Sequence, residues 1–381
     1  MQDRNLRIDV LRGVAVLLVM QLHMLNYPDA LSEMGFPNKM VFWLQYGWMG
    51  VDIFFVLSAY LLTSNLLRHR GEDNLTVAFY ARRALRILPL YWFVLLTGSL
   101  VRAWWLSSGG EAQFWLWVDQ PPTIIYLLFM QNWIIGWVGA PFAHFYMPTW
   151  SLAVEEHFYL CLPLLLARTS PRGLFWLAVS LILAEPILRA CLIQLVTSVS
   201  AYFWSIARLD DFSWGVLLAL ARRLRPDLLK LISARASIYI ALLLFLLTPL
   251  AAPDMGFFKD SAQGVWLAAL AGAFALHATI HPAEAPLKSP GALTGRLAWC
   301  GRHCYSLYLL HMPIMGITFI AAGWTEPPTA ARGGLPLILI AVAATFLVAA
   351  FTYRCIELPF MRLADRIAPY ARPAGKAVEA R

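Results

Sequence analysis

The sequence predicts an all-α fold: a polytopic integral membrane helical bundle of about ten transmembrane helices, with N- and C-termini cytoplasmic. Three observations predict it. The chain of 381 residues is 60% hydrophobic and 14% charged, where a soluble domain carries nearer a quarter charged residues. Apolar runs of roughly 20 residues recur from end to end, each long enough to cross a bilayer as a helix, the conformation that satisfies its own backbone hydrogen bonds in lipid. The basic residues gather in alternate connections, as the positive-inside asymmetry of membrane proteins requires.

The runs fall at 8–27, 41–67, 86–106, 150–168, 173–195, 202–221, 236–252, 262–281, 298–321 and 334–356. Arg4 and Arg7 precede the first. Arg68, Arg70, Arg82 and Arg83 follow the second, and Arg168 and Arg172 the fourth. Arg222, Arg223, Arg225, Lys230 and Arg235 follow the sixth, Lys288 and Arg296 the eighth, and Arg362, Arg366, Arg372, Lys376 and Arg381 the tenth. The opposite connections hold little beyond Lys39, Arg189, Lys259 and Arg332, and the stretch 103–167 has neither Lys nor Arg. The net charge of +8 therefore orients the protein and greets anionic lipid or a phosphorylated substrate; it does not mark a nucleic-acid binder.

The first run has a basic start but no small-residue cleavage site, since Leu25-Asn26-Tyr27-Pro28 follows, so it reads as a retained span rather than a signal peptide. Gly109-Gly110 and Pro121-Pro122 break the long connection before the fourth span. Within it, Thr123 to Val138 reads as an interfacial or re-entrant segment with belt-type Trp133 and Trp137; an eleventh span there would invert the charge alternation. Residues 1–365 form one membrane domain, and 366–381 read as a disordered, basic cytoplasmic tail. The five cysteines lack metal-ligand spacing and read as small buried apolar side chains, so no metal is expected.

Against this background, ionisable groups inside spans stand out, because each costs about 2.5–3.5 kcal/mol at mid-membrane if unpaired. Arg12 and His23 lie in the first span, Asp52 in the second, Glu155, Glu156 and His157 in the fourth, Arg208, Asp210 and Asp211 in the sixth, and His311 in the ninth. The bland account is that they pair with one another and lock the bundle; Arg208 and Asp211, three apart, suit such a pair. Arg12 and His23, eleven residues apart, share one helix face with a rise of roughly 16 Å between them. Ser151, Glu155 and Tyr159 also share a face, and Glu156 points about 100° away. By depth, His23, Glu155 and the Arg208/Asp210 region can meet, with Arg12 nearer the cytoplasm. A histidine beside a carboxylate is a general-base arrangement, suited to acyl transfer onto a hydroxyl and equally to a transporter's proton relay. Arg82, Arg83 and Arg86, at the mouth of the third span, are forks for phosphate. A donor such as coenzyme A, with phosphates at one end and a thioester at the other, uses both features at once.

Taken in order, several motifs resemble the acyltransferase-3 family of integral membrane acyltransferases. They are Ile8-Asp9-Val10-Leu11-Arg12-Gly13 with His23 (Arg-x10-His), Gly50-Val51-Asp52-Ile53-Phe54-Phe55-Val56-Leu57-Ser58, and Arg82-Arg83-x-x-Arg86-Ile87. Thr149-Trp150-Ser151-Leu152-Ala153-Val154-Glu155-Glu156-His157-Phe158-Tyr159, Ser306-Leu307-Tyr308-Leu309-Leu310-His311-Met312-Pro313 and Tyr353-Arg354-Cys355-Ile356-Glu357-Leu358-Pro359 complete the pattern. The likeness covers residues from about 4 to 365. The family includes O-acetylases of bacterial lipopolysaccharide, exopolysaccharide and peptidoglycan, and macrolide O-acyltransferases. Ala59 stands where many relatives have Gly, and Pro148 where a His often precedes Thr-Trp-Ser. The appended extracytoplasmic esterase-like domain of some relatives has no counterpart here, which implies transfer completed within the bundle.

The resemblance implies a multi-pass enzyme of the bacterial inner membrane. It would move an acyl group, acetyl first of all, from cytoplasmic acyl-CoA to a hydroxyl of a carbohydrate or lipid-linked glycan. In that reading His23 is general base or transient acyl carrier, Glu155 orients it, and Arg12 steadies the thioester or its oxyanion. Arg82, Arg83 and Arg86 hold coenzyme phosphates. Asp52, Ser58, Trp150, Ser151, Tyr159, Arg208, Asp210, Tyr308 and His311 shape the cavity or acceptor site. A proton-coupled transporter or flippase using the same polar groups is the alternative.

Overall fold

The computed structural model describes residues 5–25, 43–111, 114, 116–117, 120–138, 144–251, 261–281, 291–324 and 334–370. The regular elements among them are helices: α1 (Leu6–Leu25), α2 (Met49–Arg68), α3 (Leu75–Ser107), α4 (Thr123–Leu127), α5 (Gln131–Val138), α6 (Thr149–Arg168), α7 (Pro171–Leu195) and α8 (Ser198–Phe203). There follow α9 (Leu209–Leu224), α10 (Ala234–Ala251), α11 (Ser261–Ile280), α12 (Ala292–Arg302), α13 (Cys304–Ala321), α14 (Gly334–Thr352) and α15 (Leu358–Ile367). Local sequence sets several boundaries. Ser170 caps α7 by accepting from the Gly173 amide at 3.1 Å, with Pro171 at the first helical position.

Five stretches are long and apolar enough to cross a membrane: Gln45–Arg68, Leu75–Ser107, Pro171–Leu195, Cys304–Ala321 and Leu335–Ile367. Shorter apolar helices lie at Ala234–Thr248 and Gly264–Ile280. Their outer faces are apolar as well: Leu183, Ile187 and Leu347 are 67%, 69% and 73% exposed. Hydrocarbon covers such a surface without the cost that water would impose. The protein is a multi-pass membrane bundle.

Several expected spans differ in detail. The third begins eleven residues early, at Leu75, so Arg82 and Arg83 share a continuous helix with Arg86 rather than sitting in the connection before it. Hydropathy registers only the apolar part of a helix that runs on past the lipid. The sixth is divided into α8, a 3-10 turn (Ser205–Arg208) and α9. The ninth is divided at His303, whose ring stacks on Trp299 with centroids 3.9 Å apart and whose Nδ1 donates to the Trp299 carbonyl at 2.9 Å. The tenth continues through a π-helical turn (Tyr353–Glu357) into α15. The segment read as interfacial or re-entrant forms α4 and α5, of five and eight residues, where a crossing needs about 20. They break at Phe129, whose φ is 55°. Buried Gln131 and Asn132 hold them, donating to the Thr149 carbonyl at 2.8 Å and to Ser205 Oγ at 2.9 Å.

The cysteine expectation needs correction. Cys300 is buried and Cys304 half-buried, but Cys161, Cys191 and Cys355 lie on the outer surface, where lipid offers a small thiol the same apolar setting as a core.

Helix α1 packs against α2, α12 and α13, and α2 against α9 and α11. Glycines make the closest approaches. A β-carbon at Gly13 would collide with the Leu297 carbonyl, and one at Gly301 with the Asp9 carbonyl, so the backbones of α1 and α12 touch as small residues allow in membranes. Gly215 of α9 meets the Val56 carbonyl and the Ala59 side chain, so α2 and α9 also approach closely through small residues. This packing places Arg12, Asp52, Ser58 and His23 on the two innermost helices.

Gly301→Val is expected to force α1 and α12 apart at a cost of about 1–3 kcal/mol. A thermal melt of the detergent-solubilised protein reads this as a lowered midpoint, whereas Gly295→Val, in open space on the same helix, leaves the midpoint near wild type.

Candidate active site

A cavity of about 110 Å³ opens between α1, α2, α3, α6 and α13. Arg12, Ser58, Arg83, Arg86, Ser151, Glu155, Tyr159 and Tyr308 line it, with Cys304 and the apolar side chains of Val51, Phe54, Phe55 and Ile87. Its polar groups form a belt. Tyr159 donates to Glu155 Oε2 at 2.8 Å and shares a 2.7 Å hydrogen bond with Ser58. The hydroxyls of Ser151 and Tyr308 meet at 2.5 Å. The one-face alignment of Ser151, Glu155 and Tyr159 follows from their spacing of four, and Glu156 is not among the lining residues.

Beside the cavity lies a wide basic cleft lined by Arg12, Arg68, Arg83, Arg86, Arg222 and Arg223, with Tyr60, Ser64 and Asn65. Arg12, Arg83 and Arg86 border both spaces. The cleft gathers the start of α1, the end of α2, the early part of α3 and the end of α9, as helices alternating in direction must at one face of a bundle. Arg68, Arg222 and Arg223 entered the sequence reading only as orienting charges. Their membership in a cleft was invisible there, because it depends on which helix ends meet.

Arg82 does not join this cleft. It lies one residue, hence about 100°, from Arg83, and bonds Asp365 at 2.5 Å and the carbonyls of Ala364 and Ala368, with Tyr370 beneath its guanidinium at 5.5 Å. It fastens α15 to α3. Arg83 instead leans over the Tyr159 ring at 6.0 Å, between the cleft and the polar belt.

At the far end of α1, His23 Nδ1 lies 2.9 Å from His311 Nε2, with the rings 8° from parallel. His311 is fully buried, and its ring centroid lies 6.0 Å from that of Tyr308 in the cavity wall. His144, on the turn His144–Tyr146, is close enough to interact electrostatically with His23. Glu155 bonds Tyr159 and not His23, so the partner of His23 is an imidazole rather than the expected carboxylate.

Asp52, Arg208 and Asp210 do not line the cavity. Arg208 donates to Asp52 at 2.7 Å and forms an ion pair with Asp211 at 3.0 Å, all three fully buried, and its guanidinium lies over Phe55 at 5.2 Å and Tyr202 at 5.1 Å. Asp210 pairs with Arg189, which lies 3.9 Å from Glu185. These groups tie α2, α7 and α9 together instead of meeting His23. Trp150 is packed among Phe55, Tyr202 and Phe203, beside that network. The sequence reading missed Glu185 and Arg189 as intramembrane charges; their i, i+4 spacing on an apolar helix was the available signal.

Arg208→Met is expected to leave two carboxylates facing each other in the interior, at a cost of about 3–5 kcal/mol. The yield of monodisperse protein after solubilisation checks it; an unchanged yield and melting midpoint contradict the locking role.

Fold and site together fit a membrane-embedded acyltransferase class: a bundle with a basic cleft, a cavity with a belt of polar groups, and a histidine pair behind Tyr308 of its wall. The chain belongs to the acyltransferase-3 family, whose acyltransferase-domain model matches residues 5–354. It is 28% identical to the peptidoglycan O-acetyltransferase OatA of Listeria monocytogenes, over 93% of this chain and 55% of that protein. It is 29% identical to the O-acetyltransferase OatA of Staphylococcus aureus, over 84% of this chain and 53% of that protein. The chain thus spans about half the length of the curated relatives it matches. No solved structure matches it.

Proposed function

We propose that the protein is an O-acyltransferase that takes an acetyl group from acetyl-CoA at its basic cleft and delivers it to a hydroxyl of a carbohydrate acceptor. One observation carries this reading: Arg12, Arg83 and Arg86 border both the arginine cleft and the polar cavity. Phosphates suit the guanidinium forks. The amides of a pantetheine arm suit the belt of Ser58, Tyr159, Glu155, Ser151 and Tyr308. The thioester then lies toward His23 and His311. The cleft collects the positive-inside arginines, so in this reading it faces the bacterial cytoplasm, where acyl-CoA is made. The relatives' names support a carbohydrate acceptor, and a lipid-linked glycan in the inner membrane fits a hydroxyl reached from within the bundle.

The step balances simply. His23 takes the acceptor's hydroxyl proton, the oxygen attacks the thioester carbonyl, and the carbon–sulfur bond breaks. The coenzyme thiolate leaves and recovers the proton from the imidazolium. An ester forms with no oxidant or reductant. An acyl-histidine route uses the same ring as nucleophile.

Arg12 takes a different part from the one first expected. About 16 Å of helical rise separates it from His23, too far for one oxyanion to touch both. It borders the cleft with Arg83 and Arg86 and pairs at 3.8 Å with Asp9, so it belongs to the donor end. Nothing in the cavity favours transport over transfer, and membership of an acyltransferase family weighs against a flippase.

Two measurements check the reading, both on purified protein in liposomes with labelled acetyl-CoA and candidate glycans. Arg83→Ala combined with Arg86→Ala is expected to raise KM for acetyl-CoA by tenfold or more, given about 1.5–3 kcal/mol for each charged hydrogen bond, with less change in kcat. An unchanged KM removes the phosphate site. His23→Gln is expected to lower kcat by about 10²–10⁴; native turnover in a folded His23→Gln protein removes the base, and substrate flux without labelled product removes the transferase.

A further inference from the structure

The pairing of His23 with His311 says more than that two imidazoles are close. The Tyr308 carbonyl, 2.7 Å from His311 Nδ1, can only accept, so that nitrogen carries a proton. In a neutral ring the other nitrogen, Nε2, then offers only a lone pair. Nε2 lies 2.9 Å from His23 Nδ1, and the contact is a hydrogen bond only if His23 Nδ1 donates. The proton assignment is thus forced around the chain from Tyr308 through His311 to His23, and it leaves the lone pair of His23 on Nε2.

We propose that His311 is a positioning residue that holds His23 in its Nδ1–H tautomer, with Nε2 turned out as the proton-accepting atom. This rests on the reading of His23 as the base. A carboxylate does the same work in soluble triads, but here it would bury a negative charge at membrane depth. A neutral imidazole anchored on a backbone carbonyl orients its partner without one. When Nε2 accepts the acceptor's hydroxyl proton, the His23 imidazolium still donates through Nδ1 to His311 Nε2, now as a charge-assisted bond. The charge formed in the step therefore has a partner already in place. His311 is fully buried while His23 is half-buried, as suits an inner ring that orients and an outer ring that reacts.

Three substitutions separate positioning from packing. His311→Gln puts an amide oxygen near the place of Nε2 and keeps an acceptor for His23. His311→Asn reaches only the place of Nδ1, and His311→Leu keeps bulk alone. In liposomes with acetyl-CoA and the glycan acceptor, His311→Asn and His311→Leu are expected to lose at least about tenfold in kcat, with KM for acetyl-CoA within twofold of wild type. His311→Gln recovers much of the loss. Wild-type kcat in His311→Leu, or equal kcat in the Asn and Gln variants, overturns the proposal and leaves the base assignment standing. Native turnover in His23→Gln overturns the base assignment itself. A second measurement needs no folded His311 variant. Nitrogen chemical shifts of 15N-histidine-labelled wild-type protein in lipid, with the His23 signal assigned through His23→Gln, are expected to show protonated Nδ1 and bare Nε2. A His23 signal with protonated Nε2 and bare Nδ1 sinks the proposal.

Discussion

An ionisable side chain at membrane depth must find a partner or a polar cavity, and this requirement organises the molecule. Arg208 answers it with Asp52 and Asp211, and Arg189 with Asp210 and Glu185. Aromatic faces of Phe55 and Tyr202 complete the shell of Arg208. Because Asp52 is on α2, Arg189 on α7 and Arg208 beside α9, satisfying the charges also fixes three helices relative to one another. Removing one member costs far more than the pair contributes, since the orphan stays buried. The network is therefore a locking device. It holds α2 so that Ser58, less than two turns beyond Asp52, reaches the cavity.

The remaining polar groups lie along a path. Arginines collect at the helix ends, hydroxyls and Glu155 form a waist, and two imidazoles lie behind Tyr308 of the cavity wall. α1 runs the length of this path, with Arg12 at one end and His23 at the other. The Arg-x10-His spacing is a ruler of roughly 16 Å between Arg12 at the cleft and His23 beside His311. The tight contact of α1 with α12 through Gly13 and Gly301 keeps that ruler in register. One motif thus mixes two tasks: Arg12 serves the site, while its neighbour Gly13 serves packing. The same division holds in the second motif, where Gly50 lets α2 approach the Ala15 carbonyl and Ser58 serves the cavity.

Much of this was legible in the sequence, because membrane proteins obey strong one-dimensional rules. Hydropathy and the basic asymmetry give the helical bundle, and periodicity alone gives the shared face of Ser151, Glu155 and Tyr159 and the alignment of Arg12 with His23. The spacing of Arg208 and Asp211 gives their ion pair, and the order of weak motifs gives the family. What only the tertiary structure decided is which side chains from different helices meet. Periodicity orients a residue on its own helix and says nothing of the neighbour across the gap. The partner of His23 turned out to be His311, 288 positions away, and not Glu155. Asp52 and Asp210 turned out to serve ion pairs and not the cavity. Arg82 was drawn to α15, while Arg68, Arg222 and Arg223 were gathered to a cleft that none of their local sequences announces.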